Sequence, residues 1–290
     1  MVQVVAVLDV GGTSIKSGVV RLDDGRSDTI DIGSSLPTLA NEAAAVVLDR
    51  LGESSQAALD FAGPDTVGLA IAICGPFDIG GGVSLMRGVH KFEAIYGIDL
   101  RAAIRERTSI GDRPIRFARD AESAGTGEAL AGAGRGIDRV LTVTVGTGLG
   151  TCLTVGAQPV GVVRGEGIEH LGMRPTPWGR ADDVLSAYGL ANRLGIDMTE
   201  LPRAIDDPAM SDAVRDHGTR LGTFLAHVVD ELEVQLVVIG GGLSGAFDHF
   251  GPALQEAIGS TPVRAATLGS AAPLLGAAHL TFRPQLDDSW

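Results

Sequence analysis

Twice along the chain an apolar run breaks at a glycine- and threonine-rich turn and resumes as a second apolar run. The first instance, LDVGGTSIKSGVV (Leu8–Val20), lines up without a gap against VTVGTGLGTCLTV (Val143–Val155). Short apolar runs on either side of such a turn read as paired β-strands. Hairpin composition alone can produce an echo of this length; two related lobes, each opening on a similar hairpin, is the other reading. A length of 290 residues accommodates two domains.

The rest of the chain alternates strand and helix patterns. Strands are expected at Val4–Leu8, Ile15–Leu22, Thr66–Ile73, Pro114–Ala118, Arg139–Val145, Gly150–Val155 and Gln235–Ile239, with another after Asp23-Asp24-Gly25. Helical spacing marks Asn41–Ala62, Leu100–Arg107, 120–133, Val184–Leu194 and Ser211–Leu232, with further helices after Gly245 and Pro273. Strands alternating with helices define an α/β class. The expected lobes are residues 1–118 and 119–273, the break falling near Phe117–Arg119. A last helix, about 274–290, is expected to pack back on the first lobe.

Composition narrows the function. A net charge of −13 argues against nucleic acid or an anionic membrane surface as partner, because both require a basic face. The uncharged stretch Val140–Val163 is long enough for a membrane span, yet its glycines, threonines and proline suit strands around a turn. The opening residues MVQVVAVLDV carry neither a basic segment nor an A-x-A site, so no secretory leader is expected. Cys74 and Cys152 sit in apolar runs, as buried thiols do, which fits a reducing, cytoplasmic setting.

Three glycine clusters carry candidate chemistry. In the first, Gly11 and Gly12 lack a Cβ, so backbone N–H groups can turn toward an anion. Thr13 adds a hydroxyl and Lys16 a point charge, whereas Asp9 would repel phosphate unless it holds a hydrated Mg²⁺. A plain hairpin explains the turn equally well, and the spacing is not that of a P-loop. The second cluster, with Thr144, Gly146, Thr147 and Gly148, is uncharged, and strand rather than helix follows it, unlike the dinucleotide fingerprint. The third, Gly240, Gly241 and Gly242, ends a strand and opens a helix, where a nucleotide's base or ribose can lie against backbone.

In this order the clusters resemble the two phosphate motifs and the adenosine motif of the superfamily of sugar kinases, heat-shock ATPases and actin. More narrowly, the chain resembles the ROK family of sugar kinases and repressors through LDVGGTSIKSGVV, AIAICGPFD (Ala70–Asp78), RDAESAGTGEALAGAG (Arg119–Gly134), VTVGTGLGTCLTVG and TLGSAAPLLGAAHL. The resemblance implies two lobes of RNase H-like, actin-like ATPase topology with an interlobe cleft that hinges closed over substrate. It also implies transfer of the ATP γ-phosphate, with Mg²⁺, to a hydroxyl of a hexose-like sugar. Asp120 falls at the family's general base. Read by itself, Asp120 is equally a helix N-cap.

On the sugar side the resemblance implies contacts from Gly75, Asp120 and Glu169, and here the chain departs from the pattern. Arg119 stands where the family has an asparagine. His90 or Lys91 replaces another asparagine. His170 is displaced from the family's histidine, whose position is Gly172, and could equally be a solvent-facing turn residue. Asp182, with Asp183 as the alternative, replaces a glutamate of the glucokinase branch; either could simply be an acidic first helical turn. The segment TPWGRADD has no cysteine where most relatives carry a zinc cluster, so no zinc site of that kind is expected. Together these features predict a glucokinase-like kinase whose acceptor is a substituted or acidic sugar or a cyclitol rather than plain glucose. ATP is preferred over polyphosphate as donor because the chain is acidic. A non-catalytic sugar sensor is the alternative, although no winged helix-turn-helix is expected before the first strand. A homodimer is compatible with the resemblance.

Overall fold

The computed structural model describes residues 2–23, 28–89, 91–163 and 166–283, without the side chains of 162–163 and 166–170. By its contacts the chain divides into two units, Met1–Gly127 with Ser270–Trp290, and Glu128–Gly269. The division lies inside a helix rather than at the end of a strand near 118.

The first unit is built on a five-stranded sheet of order β3-β2-β1-β4-β5. Strands β1 (Val2–Val10), β2 (Ser14–Asp23) and β3 (Thr29–Pro37) form an antiparallel meander. Strands β4 (Thr66–Ile73) and β5 (Ile115–Arg119) run parallel to β1. β1 is covered on both faces, which is why it reads as a nearly unbroken apolar run. Ala6, Leu8 and Val10 belong to the core with Val47 and Leu51 of the helix Ala44–Ala62. Val7 lies instead beside Gly18 and Leu274 of the helix Ala271–Phe282.

A helix spanning Asp120–Ala131 leaves the end of β5. It approaches the helix Ala271–Phe282 at small residues, with Gly127 against the Ala272 carbonyl and Gly276 against that of Ser123. Neither glycine has room for a Cβ. This crossing fixes the helix that begins at Asp120.

The second unit repeats the plan. Strands β6 (Arg139–Val145), β7 (Leu149–Val155) and β8 (Gln158–Val160) form the meander, and β9 (Leu236–Gly240) and β10 (Val263–Ala265) run parallel to β6. The order is β8-β7-β6-β9-β10, the same sequence of directions as in the first unit. Helices Ser211–Glu231 and Phe247–Ile258 pack at Gly218 and Gly222, which lie against the carbonyls of Phe250 and Leu254. Among the described residues no helix is long and apolar enough to cross a membrane.

Three expectations need correction, and two elements were not read at all. The gapless alignment of the hairpins holds only up to the turn. Val10 pairs with Ile15 across a loop of four residues, whereas Val145 pairs with Leu149 across three, so Leu149 rather than Gly150 is the counterpart of Ile15. The helix expected over Val184–Leu194 is two helices, Ala181–Leu185 and Ala187–Leu194, divided at Ser186. Ser186 caps the second, its Oγ accepting from Gly189 N at 3.1 Å. The last helix starts before Pro273, at Ala271, because a proline in the first turn lacks only an N–H that has no helical partner there. The strand β10 and a short helix at Leu201–Ile205 went unread, both too short for a periodic signal.

Candidate active site

In open α/β sheets, ligands gather beyond the carboxyl ends of the parallel strands. In the first unit that edge is supplied by β1, β4 and β5, and most of the charged residues singled out from the sequence lie on it. Asp9, near the end of β1, stands directly across the ladder from Lys16 on β2, with 3.7 Å between Asp9 Oδ2 and Lys16 Nζ. Both side chains keep some surface, 15% for Asp9 and 36% for Lys16. Burial pushes the Asp9 carboxyl up to about 6; Lys16 pulls it down and Asp120 pushes it further up. The two carboxylates therefore feel each other, although one lies on β1 and the other opens the helix after β5.

Asp120 opens its helix at the end of β5. Its Oδ1 accepts from Ala121 N at 2.9 Å. Burial raises its carboxyl above the usual range, opposed first by the Ala121 N–H and next by the nearby Lys91 ammonium. Cys74 follows β4, its amide donating to the Val10 carbonyl at 3.4 Å. Burial holds its thiol up at about 11, which keeps it protonated and removes it as a nucleophile. Gly75 comes next, where a Cβ would meet Phe77 N at an ordinary 3.7 Å, so local packing does not demand a glycine there.

The Gly11–Thr13 turn is held from outside by a residue the sequence reading passed over. Thr38, fully buried just after β3, donates its hydroxyl to the Gly11 carbonyl at 2.8 Å, and its amide donates to the Thr13 carbonyl at 3.0 Å. Gly11 N closes the turn on Ser14 O at 3.0 Å. Gly12 faces the stem of Lys91, whose Cδ is 3.3 Å from where a Cβ would stand. Arg119, the last residue of β5, is half exposed and pairs with the helix that follows, Nε lying 3.6 Å from Glu122 Oε1. His90 lies outside the described residues, as do the side chains of Glu169 and His170, whose backbone forms part of a 3-10 segment at Ile168–Met173.

The second unit's turn has no charge of its own. Gly146 N donates to Gly148 O at 3.0 Å, and Ala187 N donates to Gly146 O at 2.8 Å. Leu149 N donates to Asp182 Oδ1 at 2.6 Å. Asp182, read from the sequence as a sugar contact, therefore braces this turn from the first turn of its helix, while Asp183 pairs with Arg180 at 2.5 Å. Thr144 pairs with Gly150 across the ladder, and Thr147 stands exposed at the tip. Gly240 ends β9; Gly241 has φ +80° and lies so close to the backbone of Val145 that a Cβ would overlap it. Gly242 starts a short 3-10 turn, Gly242–Ala246, rather than the helix itself.

Glu128 was also missed. It is buried at 1% exposure, and its carboxylate accepts from Ala133 N and Leu268 N at 2.8 Å each and from Thr267 N at 3.2 Å. The only hint in the sequence is Gly132, one turn onward, where a Cβ would run into that carboxylate.

A single oxygen ligand beside a turn suits a Mg²⁺ ion that keeps its waters and binds chiefly through phosphate oxygens. Asp9 fits that role, being a partly open carboxylate next to a lysine. Among the described residues no three His, Cys, Asp or Glu side chains converge as a metal cage.

Comparison with known proteins places this geometry in context. A family profile described as the ROK family matches residues 5–177. A ROK hexokinase from Thermus thermophilus is similar at 26% identity and a TM-score of 0.69, over 97% of this chain and 98% of that one. A ROK family glucokinase from Streptomyces griseus, solved with glucose and AMPPNP, is similar at 23% identity and a TM-score of 0.74, over 97% and 99%. A ROK family transcriptional regulator, a homologue of the E. coli MLC protein, is similar at 17% identity and a TM-score of 0.71, over 95% of this chain and 77% of its own.

Proposed function

The protein belongs to the ROK family, and from that premise we propose that it is an ATP-dependent sugar kinase with Asp120 as general base. The observation that carries this reading is the placement of Asp120 at the carboxyl end of β5, on the same sheet edge as Asp9, Lys16 and the Gly11–Thr13 turn. A base, a metal-binding carboxylate and a phosphate turn are the parts phosphoryl transfer needs, because the reaction is mainly positioning and electrostatics. The similarity to a hexokinase at 26% identity supports the same activity.

The acceptor hydroxyl gives its proton to Asp120 as its oxygen bonds the γ-phosphorus and the bond to the ADP oxygen breaks. Burial makes the Asp120 carboxyl a better base than a free aspartate, while the Ala121 N–H and Lys91 keep enough of it ionised to act. Asp9 would hold Mg²⁺, which neutralises charge on the phosphates when bound. Lys16, Thr13 and the amides of Gly11 and Gly12 would orient them. Thr144, Gly146, Thr147 and Gly148, with Gly240–Gly242, keep the nucleotide-binding role the resemblance implies. Gly75, Arg119 and the His90–Lys91 segment would face the acceptor, with Glu169, His170 and Asp182 as further candidates. The Asp182 carboxylate that braces Leu149 N has one oxygen already engaged.

The test is ADP release from Mg-ATP with a panel of hexoses, N-acetylated aminosugars, sugar acids and cyclitols. Turnover on one acceptor that Asp120→Asn abolishes supports the kinase. The similarity to a transcriptional regulator favours a second reading, a non-catalytic sugar sensor. It predicts a rise in melting temperature with a sugar and no turnover.

A further inference from the structure

Among the described residues, Lys16, Lys91 and Arg119 bring cations to the edge of the first sheet, and two of the three are already committed. Lys16 faces Asp9 at 3.7 Å and Arg119 faces Glu122 at 3.6 Å. Lys91 has no carboxylate within 4 Å among the described residues. Its half-buried stem lies over the Gly12 turn, and its ammonium faces the protonated Cys74 thiol, within electrostatic reach of Asp120.

That position suits an anionic acceptor better than a neutral one. A sugar hydroxyl offers the lysine ammonium an acceptor oxygen but no counter-charge, whereas a carboxylate offers both. Conversely, Asp9 and Asp120 on the same edge would repel an anionic acceptor if nothing offset them. The Lys91 ammonium, in no ion pair within 4 Å among the described residues, offsets them and can make a charge-assisted hydrogen bond to a carboxylate.

We propose that Lys91 is a specificity-determining residue that selects an acceptor carrying a carboxylate, so that the substrate is a sugar acid rather than a neutral hexose. This rests on the kinase reading above and names the acceptor class for the same site. Cys74 contributes a small, uncharged wall beside the ammonium. Arg119, held to Glu122, is left to orient hydroxyls at the rim.

The test compares gluconate and glucuronate, which carry the carboxylate at opposite ends, with glucose in an ADP-release assay of the full chain. The better sugar acid is expected to exceed glucose at least tenfold in kcat/KM. In Lys91→Met that ratio should fall at least tenfold, mainly through KM, and Lys91→Arg should regain most of it. Unchanged melting temperature and ATP binding exclude misfolding of the variants. A wild-type preference for glucose, or a ratio that Lys91→Met leaves in place, overturns the proposal while the kinase stands. If no acceptor turns over, calorimetry with the same three compounds decides. Sugar-acid binding lost in Lys91→Met keeps the acceptor assignment and removes the kinase, whereas no sugar-acid binding overturns the assignment as well.

Discussion

The two hairpins begin from one plan and solve different problems. Both lie in sheets of the same order and direction, and in both the end of a later parallel strand passes close to the last residue of the hairpin's first strand. Cys74 N reaches Val10 O in the first unit, and Gly241 crowds Val145 in the second. Around the turns they diverge. The first carries a charged cross-strand pair, Asp9 and Lys16, and is clamped by a neutral threonine, Thr38. The second carries Thr144 opposite Gly150 and is braced by a carboxylate from outside, Asp182. Charge within the strands suits the metal and phosphate role proposed for the first turn. A turn without charge can be braced by an acid, provided that acid is occupied by a backbone amide.

The sharpest way to break this contrast is Asp9→Asn, which should reduce phosphoryl transfer at least a hundredfold, as measured by steady-state kinetics. The same substitution should stabilise the ligand-free protein above pH 6. The native Asp9 carboxyl titrates near 6 against 3.8 for the reference group, so the native state holds the extra proton between those values. The stability this group contributes is full below about 3.8 and is lost as pH rises through 6, a loss of the order of 3 kcal/mol. Melting curves of wild type and variant should therefore converge near pH 4 and separate toward pH 8.

Gly241→Ala comes next, with an expected loss of roughly 2–4 kcal/mol in denaturant unfolding, from a left-handed φ and a Cβ driven into the Val145 backbone. Asp182→Ala should cost about 2 kcal/mol by leaving Leu149 N without its charged acceptor. If its KM for the sugar is unchanged, its work is bracing, and a large KM effect would return it to the sugar site. The smallest effect is expected from Thr38→Val, about 1 kcal/mol in thermal unfolding, with a weaker grip on ATP as the turn loosens.

Much of the fold was legible because its central strands, β1, β4, β6 and β9, are largely buried and its turns are punctuated by glycine. β4, the helix Leu100–Arg107 and β6 were read to the residue. The turn region was less so. A repeat of residue types does not reveal that one loop is a residue shorter, since strand register depends on pairing partners. Asp182 illustrates the limit at the site, because an acid in the first turn of a helix looks the same whether it meets a sugar or the Leu149 amide. Thr38 and Glu128 were invisible for a related reason: each bonds backbone groups distant in sequence, and backbone donors and acceptors leave no trace in residue identity.

The kinase reading rests most heavily on Asp120, at the end of β5, as the group proposed to remove the acceptor's proton. Its most direct test is the pre-steady-state rate of phosphoryl transfer from Mg-ATP in wild type and Asp120→Asn, with ATP binding followed in parallel. A fall of roughly 10²- to 10⁴-fold in transfer with ATP affinity retained is the predicted result. An Asp120→Asn protein that transfers phosphate at the wild-type rate would contradict the account and leave Asp120 as the start of a helix and nothing more.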